Sequence, residues 1–562
     1  ISDLLSTINK GATPLEERLA RLSGFLIKMV IGIAAAVIAL GVIQGRGLIR
    51  MIETGIALAV AAVPEGLPFV ATMTLALGVH RMARQNALVR NLSSVETLGS
   101  TTVICTDKTG TLTMNDMAVK SLVTESPVDE ELLLRVAVLC NKAHYDGERS
   151  IGDPMEVALL KCASSRGLEA EAARRERPIL REDPFDSTTM RMTTWHRDGV
   201  AVKGAPETLL GLVSRFMSGG VAVPSDERLR EKWRERIESM AEQGMRTLAF
   251  AWGEKEDDLV FLGVAGIFDP PRPDVAKSVR LCMDAGIHVI VVTGDHLITA
   301  RSIAREVGIL GSEGQISLSG SDIAKTSNEE IAGKAREIAV VARVAPEHKL
   351  RIVQALQASG EVVAMTGDGV NDAVALKQAD VGIAMGIQGT EVSKEASDII
   401  LQDDRFSTIV SAISEGRKIF DNIRKSVLFL LCCNLSEVLT VLGGIVLGLP
   451  SILLPLQILW INLVTDVAPA LALALDPAEP DVMQRPPKKR HEDILTRWLR
   501  INIVFYGFVM SLGVFMAYWA SSRIHPGDVA RATEICFHTL VFAQLLFVFN
   551  VRNRSIFRDP GQ

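Results

Sequence analysis

Three short stretches of this 562-residue chain share one design: an apolar run that ends in aspartate, then glycine and a helical pattern. They are TTVICTDKTGT with Asp107, HVIVVTGDH with Asp295, and EVVAMTGDGVND with Asp368 and Asp372. Carboxylates gathered at one edge repel each other unless a cation lies among them. Oxygen-only ligands without His or Cys favour Mg2+, which works beside phosphate groups. Asp107 follows its run directly and precedes Lys108-Thr109-Gly110-Thr111, whose hydroxyls and pliable backbone suit phosphate oxygens. A carboxylate so placed can act as a nucleophile and become an aspartyl-phosphate. Lys349, in ARVAPEHKLRIV, can neutralise a phosphoryl group in transit. One such aspartate could simply cap the helix behind it. Three with the same grammar argue for a shared site.

The elements that must hold these residues follow from the pattern. Continuous apolar strands alternating with helices predict a parallel sheet covered on both faces. Ligands of such sheets bind beyond the carboxyl ends of the strands, so the aspartates are expected at one edge. Between the first and second strands lies an insertion, residues 120–268, with its own mixed pattern, which predicts a separate domain inserted into the sheet domain.

The bulk composition places this machinery beside a membrane. Hydrophobic residues make up 48% of the chain and charged residues 22%, a mixture of apolar bundles and water-soluble domains. A net charge of −6 leaves no nucleic-acid footprint. Seven cysteines without a CxxC pair argue against a disulfide scaffold or a zinc site. Apolar runs near spanning length occur at 24–43, 54–79, 426–449, 452–475, 501–519 and 533–550. Basic flanks at RMARQNALVR, EGRKIFDNIRK, RPPKKRHEDILTRWLR and VRNRSIFR put one side of all six, and the block 90–415, in the cytoplasm.

Ionisable residues inside spans are functional candidates by default. VAAVPEGLPFVAT puts Glu65 between Pro64 and Pro68, where unwinding around Gly66 would free backbone carbonyls. Asn434 and Glu437 lie three apart on one helix face; Asn462, Thr465 and Asp466 fall at i, i+3 and i+4. Carboxylates and carbonyls together suit the flexible cage that Ca2+ takes. Polar residues that merely glue helices would explain Asn434 or Thr465 alone, but not three carboxylates.

ICTDKTGTLT, TGD at 293–295 and MTGDGVNDA at 365–373 resemble the ordered signature motifs of P-type ATPases. The resemblance covers essentially the whole chain. It implies a multidomain membrane protein with an α-helical transmembrane bundle, an α/β haloacid-dehalogenase-like (Rossmannoid) phosphorylation domain and an inserted α+β nucleotide-binding domain. On that reading residues 1–90 carry a stalk and two spans, 91–119 and 269–415 form the phosphorylation domain, and 416–562 supply four spans. Asp107 would be the phosphate acceptor. Asp368 and the backbone at Thr109 would join it in holding Mg2+, with Thr293, Gly294, Asp295, Lys349, Asn371 and Asp372 around the phosphate. DPFDSTTM and VKGAPE would place Phe185 and Lys203 at the ATP site, with Glu156 and Arg246 at further nucleotide contacts, and DPPR at 269–272 resembles the hinge between the domains.

VAAVPEGLP with NLVTD resembles calcium pumps of the sarcoplasmic-reticulum type and their bacterial relatives, which implies ATP-driven Ca2+ export across a plasma membrane of bacterial type. Heavy-metal pumps carry a cysteine-containing motif at PEGLP. Carbonyls of Val60, Ala61 and Val63 with Glu65, Asn462 and Asp466 would form one ion site. Asn434, Glu437 and Thr465 would belong to a neighbouring one. Gln544 stands where two-site calcium pumps have glutamate, which leaves Na+, K+ or Mn2+ open as cargo. A membrane-tethered phosphatase of the same fold is the alternative of a different class. The family's actuator domain and final pair of spans have no counterpart here, so the expectation is a chain truncated at both ends that does not complete a transport cycle alone.

Overall fold

The computed structural model describes residues 14–45, 47–61, 66–147, 149–186, 188–311, 314–450, 452–487 and 495–552. Its first sheet has eight strands in the order Ala87–Val89, Ile399–Leu401, Val381–Met385, Val363–Gly367, Val103–Thr106, His288–Val292, Ile338–Ala342 and Ile316–Ser319. All neighbours are parallel except the first pair, which is antiparallel. The central strands are mostly apolar because both faces are covered. Ile104, Val289 and Val291 feed one core, while Val103, Cys105, Ile290 and Val292 feed the other. That alternation is the period of two expected of a strand. Val103–Thr106 lies between His288–Val292 and Val363–Gly367, with Val103 opposite His288 on one side and Val363 on the other. The three aspartate-bearing strands are therefore neighbours at the sheet's centre. This is the haloacid-dehalogenase-like layering the resemblance implies.

A second, mainly antiparallel sheet runs Val221–Pro224, Arg215–Ser218, Leu259–Phe268, Arg246–Gly253, Gly199–Gly204, Arg191–His196 and Arg181–Asp186, with Ala118–Val123 also paired to Leu259–Phe268. The two chain crossings between the sheets run side by side. Met114 N donates to the Pro270 carbonyl at 3.0 Å, and Arg272 N to that of Leu112 at 2.9 Å. Asp269 accepts from Thr113 Oγ1 at 2.5 Å, and Arg272 Nη2 donates to the Gly110 carbonyl at 2.9 Å. The DPPR segment thus braces the turn that follows Asp107.

Four described helices are long and apolar enough to cross a membrane: Phe406–Val446, Pro455–Ala474 (interrupted by a π-turn), Arg497–Ile524 and Val529–Arg552. Pro14–Ile43 carries the first apolar run. The second run is two helices, Leu48–Ala61 and Gly66–Arg84, on either side of 62–65. The expected third span starts earlier than its apolar run. It is one 41-residue helix from Phe406, because the charged segment before residue 426 is buried and paired rather than solvated. Asn422 Nδ2 donates to the Ala474 and Asp476 carbonyls, and Lys425 Nζ to Glu479 at 2.9 Å.

The last two strands at one end of the sheet tie the layers together. Ala87–Val89 follows the helix Gly66–Arg84, and Ile399–Leu401 precedes the 41-residue helix; the two strands pair with each other. Beneath them Arg81 pairs with Glu415, and Gly99 meets Gly416 backbone to backbone. A Cβ at Gly99 would lie 2.6 Å from the Gly416 carbonyl carbon. Gly99→Leu is therefore expected to lower the thermal unfolding midpoint in detergent, at an overpacking cost of about 1–3 kcal/mol. Gly211→Ala, where the space is open, should not. Equal midpoints for wild type and Gly99→Leu would show that this helix contact does not constrain the fold.

Candidate functional site

Asp107 leaves the central strand in extended conformation (φ −69°, ψ 154°), and its carboxylate turns back to accept from Lys108 N at 2.6 Å. Its own N–H donates to Thr366 Oγ1 on the adjacent strand at 3.0 Å. Gly110 follows at φ +73°, in the left-handed region glycine tolerates, and a side chain there would strike Gln388 Oε1 at 2.3 Å. The tight turn is thus built from both sides.

Lys349, one turn into the helix Pro346–Ala358, reaches Asp107 Oδ2 at 3.0 Å and Asp372 Oδ1 at 2.6 Å. Asp372 Oδ2 accepts from Gly369 N at 3.1 Å. Carboxylate oxygens of Asp107, Asp368 and Asp372 all lie within 4.8 Å of one another. Three carboxylates face one ammonium, an excess of negative charge. Burial pushes the Asp107 carboxyl above its ordinary value, partly offset by Lys349. Asp368 is raised by burial and then by the charges of Asp107 and Asp372. Burial would lower Lys349, but the two carboxylates more than reverse it, and the ammonium is held well above its usual range. This all-oxygen, charge-rich donor set fits a hard divalent cation such as Mg2+.

The neighbouring strand supplies the rest of the rim. Thr293 is buried and its Oγ1 accepts from Asp295 N at 3.2 Å; Gly294 leaves open space. Asp295 forms an ion pair with Lys108, and Thr109 Oγ1 lies 3.5 Å from its Oδ2. Asn371 is exposed at the rim. Lys108, Thr366, Arg272 and Gln388 were not singled out from sequence. Lys108 carried a signal in DKTG, Thr366 in MTGDGVNDA and Arg272 in DPPR, while Gln388 carried none. Asp404, whose carboxylate accepts from the N–H groups of Gly386, Ile387 and Gln388, also gave none.

Among the expected nucleotide residues, Lys203 is buried and paired with Glu156, which also accepts from Lys142 N and Ala143 N at 2.9 and 3.0 Å. Phe185 lies 57% exposed on the strand Arg181–Asp186. Arg246, at the start of its strand, reaches across to Asp295 Oδ1 at 3.9 Å. It therefore joins the insertion to the rim of the Asp107 site.

In the membrane helices, Asn434 and Glu437 are buried on one helix, with Thr465 and Asp466 buried on another. The expected i, i+3, i+4 face of Asn462, Thr465 and Asp466 is not an α-helical one. Ile461–Thr465 is a π-turn in which Asp466 N donates to the Ile461 carbonyl at 3.1 Å, widening the helix where such turns accompany function. Gln544 is fully buried, and its Nε2 donates to Glu437 Oε1 at 3.1 Å. Asn434 Nδ2, Glu437 Oε2, Thr465 Oγ1 and Gln544 Oε1 have no hydrogen-bond partner among the described residues, and the Asp466 carboxylate has only the Cys433 thiol beside it. Each such unmade bond costs about 1–3 kcal/mol, and a donor set of this kind fits a hard cation. Val63 and Glu65 lie outside the described residues, and of Val60 and Ala61 only their place in the last turn of Leu48–Ala61 is described.

Similarity to known proteins agrees with this geometry. Residues 130–274 match the family model described as P-type ATPase, cytoplasmic domain N, and 450–561 that described as Cation transporting ATPase, C-terminus. The chain is 41% identical over 614 residues to a calcium-transporting ATPase of Bacillus subtilis, an alignment covering all of this chain and 68% of that relative. It is 39% identical to calcium-transporting ATPase 1 of Bacillus cereus, over 99% of this chain and 67% of the relative. With the probable cation-transporting ATPase F of Mycobacterium tuberculosis it shares 38% identity, over 99% of this chain and 67% of the relative. The chain belongs to the P-type ATPases, integral membrane enzymes that couple ATP hydrolysis to cation transport.

The raised carboxyls of the Asp107 site, lifted by burial first and by neighbouring carboxylates after it, have a measurable consequence. A carboxyl raised in the folded state makes folding less favourable as pH rises from its unfolded toward its folded value, and the loss persists above it. Without divalent cations, Asp368→Asn should remove its share of that loss. The expected result is a higher midpoint at pH 7 and a smaller rise on adding Mg2+. A lower midpoint at pH 7, with Mg2+ stabilising both forms equally, would rule out charge crowding there.

Proposed function

We propose that this chain uses the γ-phosphoryl group of ATP to phosphorylate Asp107 and couples that step to Ca2+ export from the cytosol. The observation that carries the reading is the buried Asp107–Lys349–Asp372 bridge at the central strand's end. An Asp107 oxygen attacks the γ-phosphorus, the bond to the β,γ-bridging oxygen breaks, and ADP leaves with that electron pair. Lys349 stays protonated and meets charge on the phosphoryl oxygens, the kind of fixed electrostatic group that stabilises such a transfer. Asp107, Asp368 and the Thr109 carbonyl would hold Mg2+, which neutralises phosphate charge when bound. Thr293, Gly294 and Asn371 border the phosphate, and Asp295 sets the position of Lys108.

The insertion 120–268 would bind the nucleotide. Phe185 offers an exposed ring for the base, the Lys203–Glu156 pair lines the pocket, and Arg246 brings positive charge towards the polyphosphate. The segments 91–119 and 269–415 would carry the phosphorylated carboxylate, and the membrane helices the cation. Unpartnered oxygens of Glu437 and Thr465 and the Asp466 carboxylate, joined by Asn434, Asn462, Glu65 and the carbonyls of Val60, Ala61 and Val63, suit a many-oxygen cage. The names of the Bacillus relatives support Ca2+ as cargo.

In the intact protein, labelled ATP should give an acid-stable, hydroxylamine-labile phosphoprotein that requires Ca2+. Asp107→Asn should abolish it, and Lys349→Ala should slow its formation by about 10²–10³-fold. Asp466→Asn should raise the Ca2+ concentration needed. Labelling stimulated by Na+ and indifferent to Ca2+ would reassign the ion. Activity insensitive to Asp466→Asn and to every cation but Mg2+ would favour a tethered phosphatase.

A further inference from the structure

The membrane cage contains a donor that an all-oxygen description omits. Cys433 is fully buried and lies four residues before Glu437, on the same face of the 41-residue helix. The facing helix is held in register by two hydrogen bonds, Ser426 Oγ to the Ala470 carbonyl at 2.8 Å and Asn422 Nδ2 to that of Ala474 at 3.1 Å. The segments run antiparallel, so advancing from Ser426 to Cys433 retreats from Ala470 into the π-turn Ile461–Thr465 and its neighbour Asp466. The thiol has the Asp466 and Glu437 carboxylates as its electrostatic neighbours. Cys432 is equally buried but turned by about 100° around the helix.

A buried cysteine is ordinarily a small apolar filler. Here it borders the unpartnered Glu437 Oε2 and the Asp466 carboxylate, whose one polar neighbour is this thiol, residues with 0% and 1% exposure. Polar atoms left open beside a thiol describe a mixed oxygen–sulfur pocket, and thiolate selects softer metals than carboxylate does. We propose that Cys433 Sγ is a ligand in the intramembrane cation site, giving it an affinity for thiophilic divalent cations such as Cd2+ that an all-oxygen cage lacks. This rests on reading that pocket as the transport site. On coordination the Sγ–H bond gives way to an Sγ–metal bond, the proton leaves to water, and no electron is transferred. Soft cations then compete with the transported ion.

The test uses the intact pump, with Cd2+ titrated against Ca2+-dependent phosphorylation. Cys433→Ser should raise the Cd2+ concentration that halves labelling by about 10–100-fold and shift the Ca2+ requirement by less than about threefold, as expected when one of several donors changes from sulfur to oxygen. Cys432→Ser should alter neither. Independently of turnover, the purified protein should show an ultraviolet sulfur-to-cadmium charge-transfer band that survives Cys432→Ser and disappears in Cys433→Ser. If Cys433→Ser fails to fold, Cys433→Ala provides the same spectroscopic comparison. Unchanged Cd2+ potency, or a band that persists without the Cys433 thiol, overturns the inference and leaves the proposed function standing. Absence of Ca2+-dependent labelling in the wild type, with the Cys433-dependent band present, overturns the proposed function instead.

Discussion

Lys349 is the residue on which the sheet edge depends. Without its ammonium, the converging strands would bring Asp107, Asp368 and Asp372 together with nothing to balance them. Its contacts at 3.0 Å to Asp107 and 2.6 Å to Asp372 also fix distances between two strands and one helix. The helix Pro346–Ala358 starts with proline at its first position, which leaves no orphan donor there and aims the lysine inward one turn later. Much of the surrounding architecture maintains that geometry. Thr366 holds the Asp107 backbone, Arg272 holds the Gly110 carbonyl, and Asp404 gathers three backbone donors beside Gln388.

The membrane half shows the opposite electrostatic arrangement. At the sheet edge one cation bridges its carboxylates. Between the helices Glu437 receives only an amide from Gln544, and Asp466 has only the Cys433 thiol beside it. A fold tolerates such atoms when something outside the chain satisfies them. The π-turn at Ile461–Thr465 fits the same logic, since it departs from regular helix at the residues that would face an ion. Unpartnered side-chain atoms of Asn434, Glu437, Thr465 and Gln544 gather around that turn.

Much of this was legible from residue order because the chemistry lies at strand ends. An apolar run with an aspartate at its C-terminal end declares a buried parallel strand and its exposed tip at once. Asp107, Asp295 and Asp368 could therefore be grouped before any coordinates. The contact of Arg246 with Asp295 could not, because it joins different sheets and depends on how the insertion leans. The extent of the helix from Phe406 was masked by Glu415, Arg417, Lys418, Asp421, Arg424 and Lys425, which read as a solvated flank. Arg417 is buried instead, bonded to the carbonyls of Val482, Arg485 and Ala285. The π-turn left no trace in composition, since INLVT is as compatible with an α-helix.

The pairing of Ala87–Val89 with Ile399–Leu401 means that the helix Gly66–Arg84 and the long helix bearing Asn434 and Glu437 grow from adjacent rungs of one sheet. A 41-residue helix is roughly 60 Å long, a stiff arm whose pivot lies near the sheet edge that carries Asp107. Tilting that pivot by about 5° sweeps the far end through roughly 5 Å, more than the diameter of a bare ion. Angular precision at the sheet thus becomes positional leverage in the bilayer. The Gly99–Gly416 backbone contact then acts as the bearing that keeps the arm from slipping sideways.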